Sequence, residues 1–202
     1  MSNVTTYGGL RLKKIKLDQT LETVYIPSGN GNRLGIGDPV SILSATYGSV
    51  GSGPNVCQVA RTVEGAAMYG VIQSFLPQYN DGTASMDLTI NYLKTSTAGY
   101  ALIRPANNQD VYEIADDGST GGNTFSSNVA QNCNLAIADC DTASGLSKVM
   151  LDLDTCNTTA TLNVKIIGPS TDVRNDPTST GARWLVTINN VQRSGGTGTA
   201  TI

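Results

Sequence analysis

This chain of 202 residues predicts an all-β fold, a sandwich or barrel-like (jelly-roll-like) domain with an extended N-terminal arm. Three observations carry that expectation. Apolar and polar residues alternate with a period of two in one segment after another, as in a strand with one face buried. Gly, Pro, Asn and Asp bound those segments at short intervals. Charged residues make up only 14% of the chain while Gly numbers 22, which leaves a surface of small neutral polar groups.

Residues 1–18 read as the arm. Within it, "RLKKIK" (11–16) sets Arg11, Lys13, Lys14 and Lys16, four of the chain's thirteen basic residues, beside Leu10, Leu12, Ile15 and Leu17. Mixed charge and apolar character suits a segment that orders against an acidic partner, or simply a first strand. These four cations are the candidate interface residues. Residues 19–202 read as a single β domain. Its strand candidates run in order through "TVYIP", "PVSILSAT", "NVCQVARTV", "YGVIQSFLP", "GYALIRP" and "VYEIA", each rich in β-branched or aromatic residues. Three later segments sort cleanly by alternation. "VMLDLD" puts Val149, Leu151 and Leu153 on one face, "TLNVKI" puts Leu162, Val164 and Ile166, and "ARWLVTIN" puts Trp184, Val186 and Ile188. "YNDGTA" (79–84) signals a tight hairpin through its Asp-Gly pair. Asp116 and Asp117 read as turn formers before a Gly-rich loop, and residues 169–181 as the last connection. "SSNVAQNCNLAIADC" (126–140) hints at a helix through the spacing of Val129, Cys133, Ala136 and Ile137.

The stretch "SGNGNRLGIGDP" (28–39) tests for a nucleotide site. A dinucleotide fingerprint needs Gly at its first, third and sixth positions and a helix to follow. Gly29 and Gly31 fit, but Leu34 holds the sixth position, and Pro39 with the β-branched residues after it predicts a strand. Turn punctuation is the expected role.

Composition narrows the chemistry further. The chain has no histidine, which excludes His-based acid–base catalysis, Ser-His or Cys-His nucleophiles and mixed zinc sites. Cys57, Cys133, Cys140 and Cys156 form no C-x-x-C pair. They read either as free, mostly buried thiols or as one bridge, with Cys133–Cys140 the candidate. Net charge is −3, so no global field draws nucleic acid, and no apolar run reaches the length of a membrane span. A soluble protein made in a cytoplasm is expected. Asp139 with Asp141, and Asp152 with Asp154, have the two-residue spacing that puts carboxylates on one strand face. A cation site or a glycosidase pair would use such spacing, but a solvated face is the plainer reading. No catalytic, cofactor-binding or metal-ligating residue is expected, and no enzymatic activity.

Several stretches, in order, resemble a family of tailed-bacteriophage head decoration (cement, capsid-stabilising) proteins: "YIPSGNGNRLGIGDPV", "YGVIQSFLP", "STAGYALIRPANNQDVYEIADDGS", "ATLNVKIIGP" and "ARWLVTINNVQ". The least generic is the run from Tyr100 to Asp117, a strand, an RPxNxx-like turn and a second strand. The resemblance implies a virion protein on the exterior of the head, a homo-oligomer, a trimer, that binds the major capsid protein and locks neighbouring capsomers together. It implies synthesis in a bacterial host cytoplasm, while the net charge of −3 and the lack of a spanning apolar run already predict no nucleic-acid or membrane partner. The rival is a carbohydrate-binding or adhesin-like β-sandwich on a virion or cell surface, which requires Trp184 or paired tyrosines on an open face beside Asp152 and Asp154. A polysaccharide hydrolase using Asp152 or Asp154 is the third class.

Overall fold

The computed structural model describes residues 8–16, 19–49, 53–76, 78–79, 86–87, 91–118 and 128–192. The fold is all-β, as its alternating pattern predicts. Its strands are β1 (Arg11–Lys14), β2 (Glu22–Ile26), β3 (Pro39–Gly48), β4 (Val56–Arg61), β5 (Gly70–Phe75), β6 (Gln78–Tyr79), β7 (Met86–Asp87), β8 (Gly99–Pro105), β9 (Val111–Ala115), β10 (Asn132–Ala136), β11 (Met150–Asn157), β12 (Val164–Pro169) and β13 (Arg183–Ile188).

Strands β2-β4-β3-β5-β8 close into a barrel, and β1-β9-β13-β12-β10-β11 form a six-stranded sheet. Closure removes the free edges of the barrel, which would otherwise invite pairing with other chains. The sheet curls back on itself at one end. Gly9 donates its N–H to the Val149 carbonyl, and Asp116 bridges to Leu151 on β11. Each unit has its own apolar core. Val24, Ile26, Val40, Val59 and Ile103 fill the barrel, while Tyr112, Leu135, Leu151, Val164, Trp184 and Val186 fill the sheet. Strand β5 is the shared wall. Its alternation sends Val71 into the sheet core and Ile72 into the barrel core.

The basic segment belongs to this architecture. Over its described part, the expected arm is an edge strand: β1 pairs antiparallel with β9, Arg11 opposite Glu113 and Leu12 opposite Tyr112. Leu10 is 1% exposed in the sheet core and Leu12 packs on its margin. A bulge between Leu12 and Lys14 breaks the alternation, so Lys13 and Lys14 are both exposed. Leu17 lies outside the described residues.

Two further expectations change. Of the helix hinted at over 126–140, residues 126 and 127 lie outside the described ones, Asn128 is helical, and Asn132–Ala136 is strand β10, with Cys133 and Leu135 turned into the core. Asn132 and Asn134 alternate with them on the opposite face, where Asn134 is buried as well, its Nδ2 donating to Glu64. The bridge joins Cys133 to Cys156, not to Cys140; Cys57 and Cys140 remain thiols. At a bulge in the β10–β11 pairing, Leu153 to Cys156 stand against Cys133 alone, which brings Cys156 to its neighbour across the strands. Strands β6 and β7 pair around the expected hairpin, Gln78 opposite Asp87; its turn residues lie outside the described ones.

Candidate functional site

The glycine-rich stretch 28–39 joins β2 to β3 and is held from below by Asp38. This carboxylate accepts the Gly35 N–H at 2.7 Å and the Ser147 hydroxyl, and is fully buried. Gly37 adopts φ +94°, a left-handed conformation that glycine takes without a Cβ clash. Gly35 is needed for space: a Cβ there would stand 2.6 Å from the Cys140 Cβ and 2.8 Å from the Gly145 carbonyl oxygen. The loop is therefore a latch between barrel and sheet.

Burial pushes Asp38 up to about 6, against the opposing pull of its bonds to Ser147 and Gly35. The folded chain thus holds this proton more tightly than the unfolded chain. Its contribution to stability falls as pH rises from about 4 to about 6, by on the order of 2–3 kcal/mol, and is constant above that window. Asp38→Asn keeps an acceptor for Gly35 and a partner for Ser147. Denaturation midpoints of the two proteins at pH 4 and pH 7 are expected to differ in slope, with the variant losing less stability across the window.

The RPxNxx-like turn is a second buried network. Asp110, with no exposure, meets the Arg104 guanidinium at 2.6 Å and accepts Asn107 Nδ2 at 2.7 Å. Its other oxygen accepts the Lys16 backbone N–H at 2.8 Å, fixing where the chain leaves β1. Lys13 reaches the buried Glu113 at 3.1 Å, and Glu113 also accepts the Ser170 hydroxyl. Of the four basic interface candidates, Lys13 is thereby tied to the sheet. Lys14 and Lys16 are exposed and meet no carboxylate within ion-pair distance among the described residues. Arg11 is exposed on the same strand.

The carboxylate pairs are used differently. Asp139 binds Arg61 at 2.9 Å and Arg33 at 3.5 Å, tying the loop after β10 to the barrel. Asp141 accepts the Ser144 hydroxyl and N–H, which with Lys148 hold it below the usual carboxylate range. On β11, Asp152 and Asp154 face outward while Leu151 and Leu153 face the core, as their alternation predicts. Asp152 is raised by burial and by the nearby charges of Asp117, Glu64 and Asp154. Trp184 is fully buried, with its indole N–H on Asp116 at 3.1 Å, so it forms no open platform for a sugar. The paired rings of Tyr25 and Tyr100, 5.9 Å apart, belong to the barrel strands β2 and β8. Among the described residues, no three of His, Cys, Asp and Glu converge to hold a metal ion.

Sequence reasoning missed Asn163. It is fully buried on β12's approach, where alternation assigns it outward. Its Oδ1 accepts the N–H groups of Gly65 and Leu135, and its Nδ2 donates to the Ala66 carbonyl at 2.8 Å. It holds the turn after β4 against β10. Beside that turn opens a cleft of about 320 Å³, lined by Asn32, Arg61, Val63, Glu64 and residues Leu135 to Ile137. No family model, curated protein or solved structure matches this chain.

Proposed function

We propose that this chain is a structural virion protein that binds the outer surface of a tailed-phage head and cements neighbouring capsomers, catalysing no reaction. The observation that carries the reading is how its ionisable groups are spent. Asp38, Asp110, Asp116 and Asp139 are each engaged in joining one part of the fold to another, while Lys14 at the end of an edge strand and Lys16 just beyond it are exposed. Such a division suits a protein whose work is done by a rigid, outward-facing surface. The Cys133–Cys156 bridge supports a place on the particle's exterior, since disulfides persist outside the reducing cytosol.

A cement protein stabilises a shell because it binds the assembled form and not its parts, so its binding free energy adds to that of the shell. Mixing the purified chain with undecorated heads is expected to raise their disruption temperature in proportion to occupancy, read by light scattering on heating. An unchanged temperature at saturating protein would overturn the reading. Removing residues 1–18 would extract Leu10 from the core, so the basic strand is better tested by Lys14→Glu with Lys16→Glu.

A further inference from the structure

Asp38 lies where three segments meet. Its Oδ2 accepts the Gly35 N–H within the glycine-rich loop, and its Oδ1 accepts the hydroxyl of Ser147 on the approach to β11. Each of these two segments holds the start of β1. Next to Asp38, the Gly37 carbonyl accepts the Leu10 N–H at 3.0 Å. From Ser147 the bonds run in series: its Oγ accepts the Val149 N–H at 3.0 Å, and the Val149 carbonyl accepts the Gly9 N–H. Ser147 also donates its own N–H to the Ile36 carbonyl at 2.9 Å, which stitches the two segments together across the carboxylate. One buried side chain thus stands behind both main-chain bonds that place residues 9 and 10.

Among the described residues no cation touches this carboxylate. Arg61 on β4 acts on it only from a distance and is bound to Asp139, whose own charge opposes the effect. Arg33, on the loop itself, is bound to Asp139 as well. Cys140 is a buried thiol that burial pushes up to about 11, so it brings no charge. Asp141 and Lys148, on the segment that carries Ser147, pair with each other at 3.8 Å. Strand β5 and residues Gly8 to Leu10 offer no ionisable side chain. A wholly buried carboxylate without a cation in contact is held neutral at less cost than charged, and opening the corner returns it to water, where it ionises freely. We propose that Asp38 is a proton switch for the start of β1: protonated, it keeps residues 9 and 10 docked between the two segments, and loss of the proton favours local opening of this corner while both cores stay folded. The far end of β1 remains tied through the Lys16 N–H on Asp110, which confines the opening. Leu10 leaves the core when the corner opens, so the open form is a minor population. The inference goes beyond the head-binding reading and does not depend on it.

The test is hydrogen exchange of the assigned backbone amides, followed by NMR at pH 5 and pH 7, with and without a low concentration of urea, and corrected for the intrinsic rate at each pH. The open corner loses the Asp38 proton near the ordinary carboxylate value and the closed one only near 6, so the Leu10, Ile36 and Ser147 amides are expected to lose about tenfold in protection from pH 5 to pH 7. Their exchange is expected to ignore urea, because a local opening exposes little surface. The Val164 and Val186 amides of the sheet are expected to be better protected and to exchange faster as urea is added, as amides freed only by global unfolding do. In Asp38→Asn, whose side chain cannot ionise, the protection of the three corner amides is expected to be the same at both pH values. Corner amides that respond to urea as strongly as the sheet amides would overturn the proposal, since the whole fold would then be opening at once. So would corner protection that does not change with pH, or a change that persists in Asp38→Asn. The urea comparison on the wild type decides between local and global opening even if the variant does not fold.

Discussion

Asp110→Ala is expected to destabilise the chain by about 3–5 kcal/mol, the cost of breaking a buried ion pair from one side. Arg104 is 5% exposed, and its guanidinium would lose the buried carboxylate that it meets at 2.6 Å. Asn107 Nδ2 and the Lys16 N–H would lose their acceptor as well. The effect should appear as a lower urea midpoint with an unchanged denaturant slope. Arg104→Met combined with Asp110→Leu removes both charges together and is expected to cost much less, because no charge is left stranded. The comparison separates the cost of an orphaned charge from the worth of the pair. A functional consequence follows, since the Lys16 N–H bond fixes the exit of β1 and thereby the position of the exposed lysines.

Trp184→Ala is expected to cost a further about 3–5 kcal/mol, from the apolar surface lost and the cavity left in the sheet core. Trp184 is fully buried near the start of β13, between β9 and β12. Trp184→Phe keeps most of the volume and loses the indole N–H together with part of the bicyclic ring. Asp116 then still accepts the Gly181 N–H at 2.8 Å and the Gly118 N–H at 3.1 Å, so the cost should be nearer 1 kcal/mol. Thermal unfolding followed by circular dichroism reads both, as the alanine variant has no tryptophan left to fluoresce.

Much of the fold is legible in the sequence. "ARWLVTIN" and "VMLDLD" bury alternate residues as their pattern requires, because a strand with one wet face has little freedom in which residues it hides. Strand β10 was hidden by its asparagines, which belong as readily to turns as to an outer strand face. For β1 the sequence leaves an arm and a first strand both open, because a bulge turns two successive lysines outward and breaks the alternation that would mark a paired strand. The bridge depended on a bulge as well, since strand register and not spacing brings Cys156 to Cys133.

The candidate site was less legible. The exposed lysines could be named from the sequence, but their surroundings could not. Asp110 is 94 residues from Lys16, Asp38 is 109 from Ser147, and Asn163 is 98 from Gly65. No local pattern marks a polar residue as the hub of such distant bonds. The glycine-rich stretch shows the same limit. Its lack of a following helix argued against a nucleotide, yet only the closeness of Cys140 and Ser147 reveals what it does instead.

The most direct measurement of the head-binding reading is a comparison of partners: sedimentation of the chain with intact undecorated heads and, in parallel, with dissociated capsid subunits. Retention on heads at a fixed saturating ratio, with no retention on subunits, is the predicted result. Equal retention on both would contradict it, because a ligand that holds the parts as tightly as the whole adds nothing to the shell.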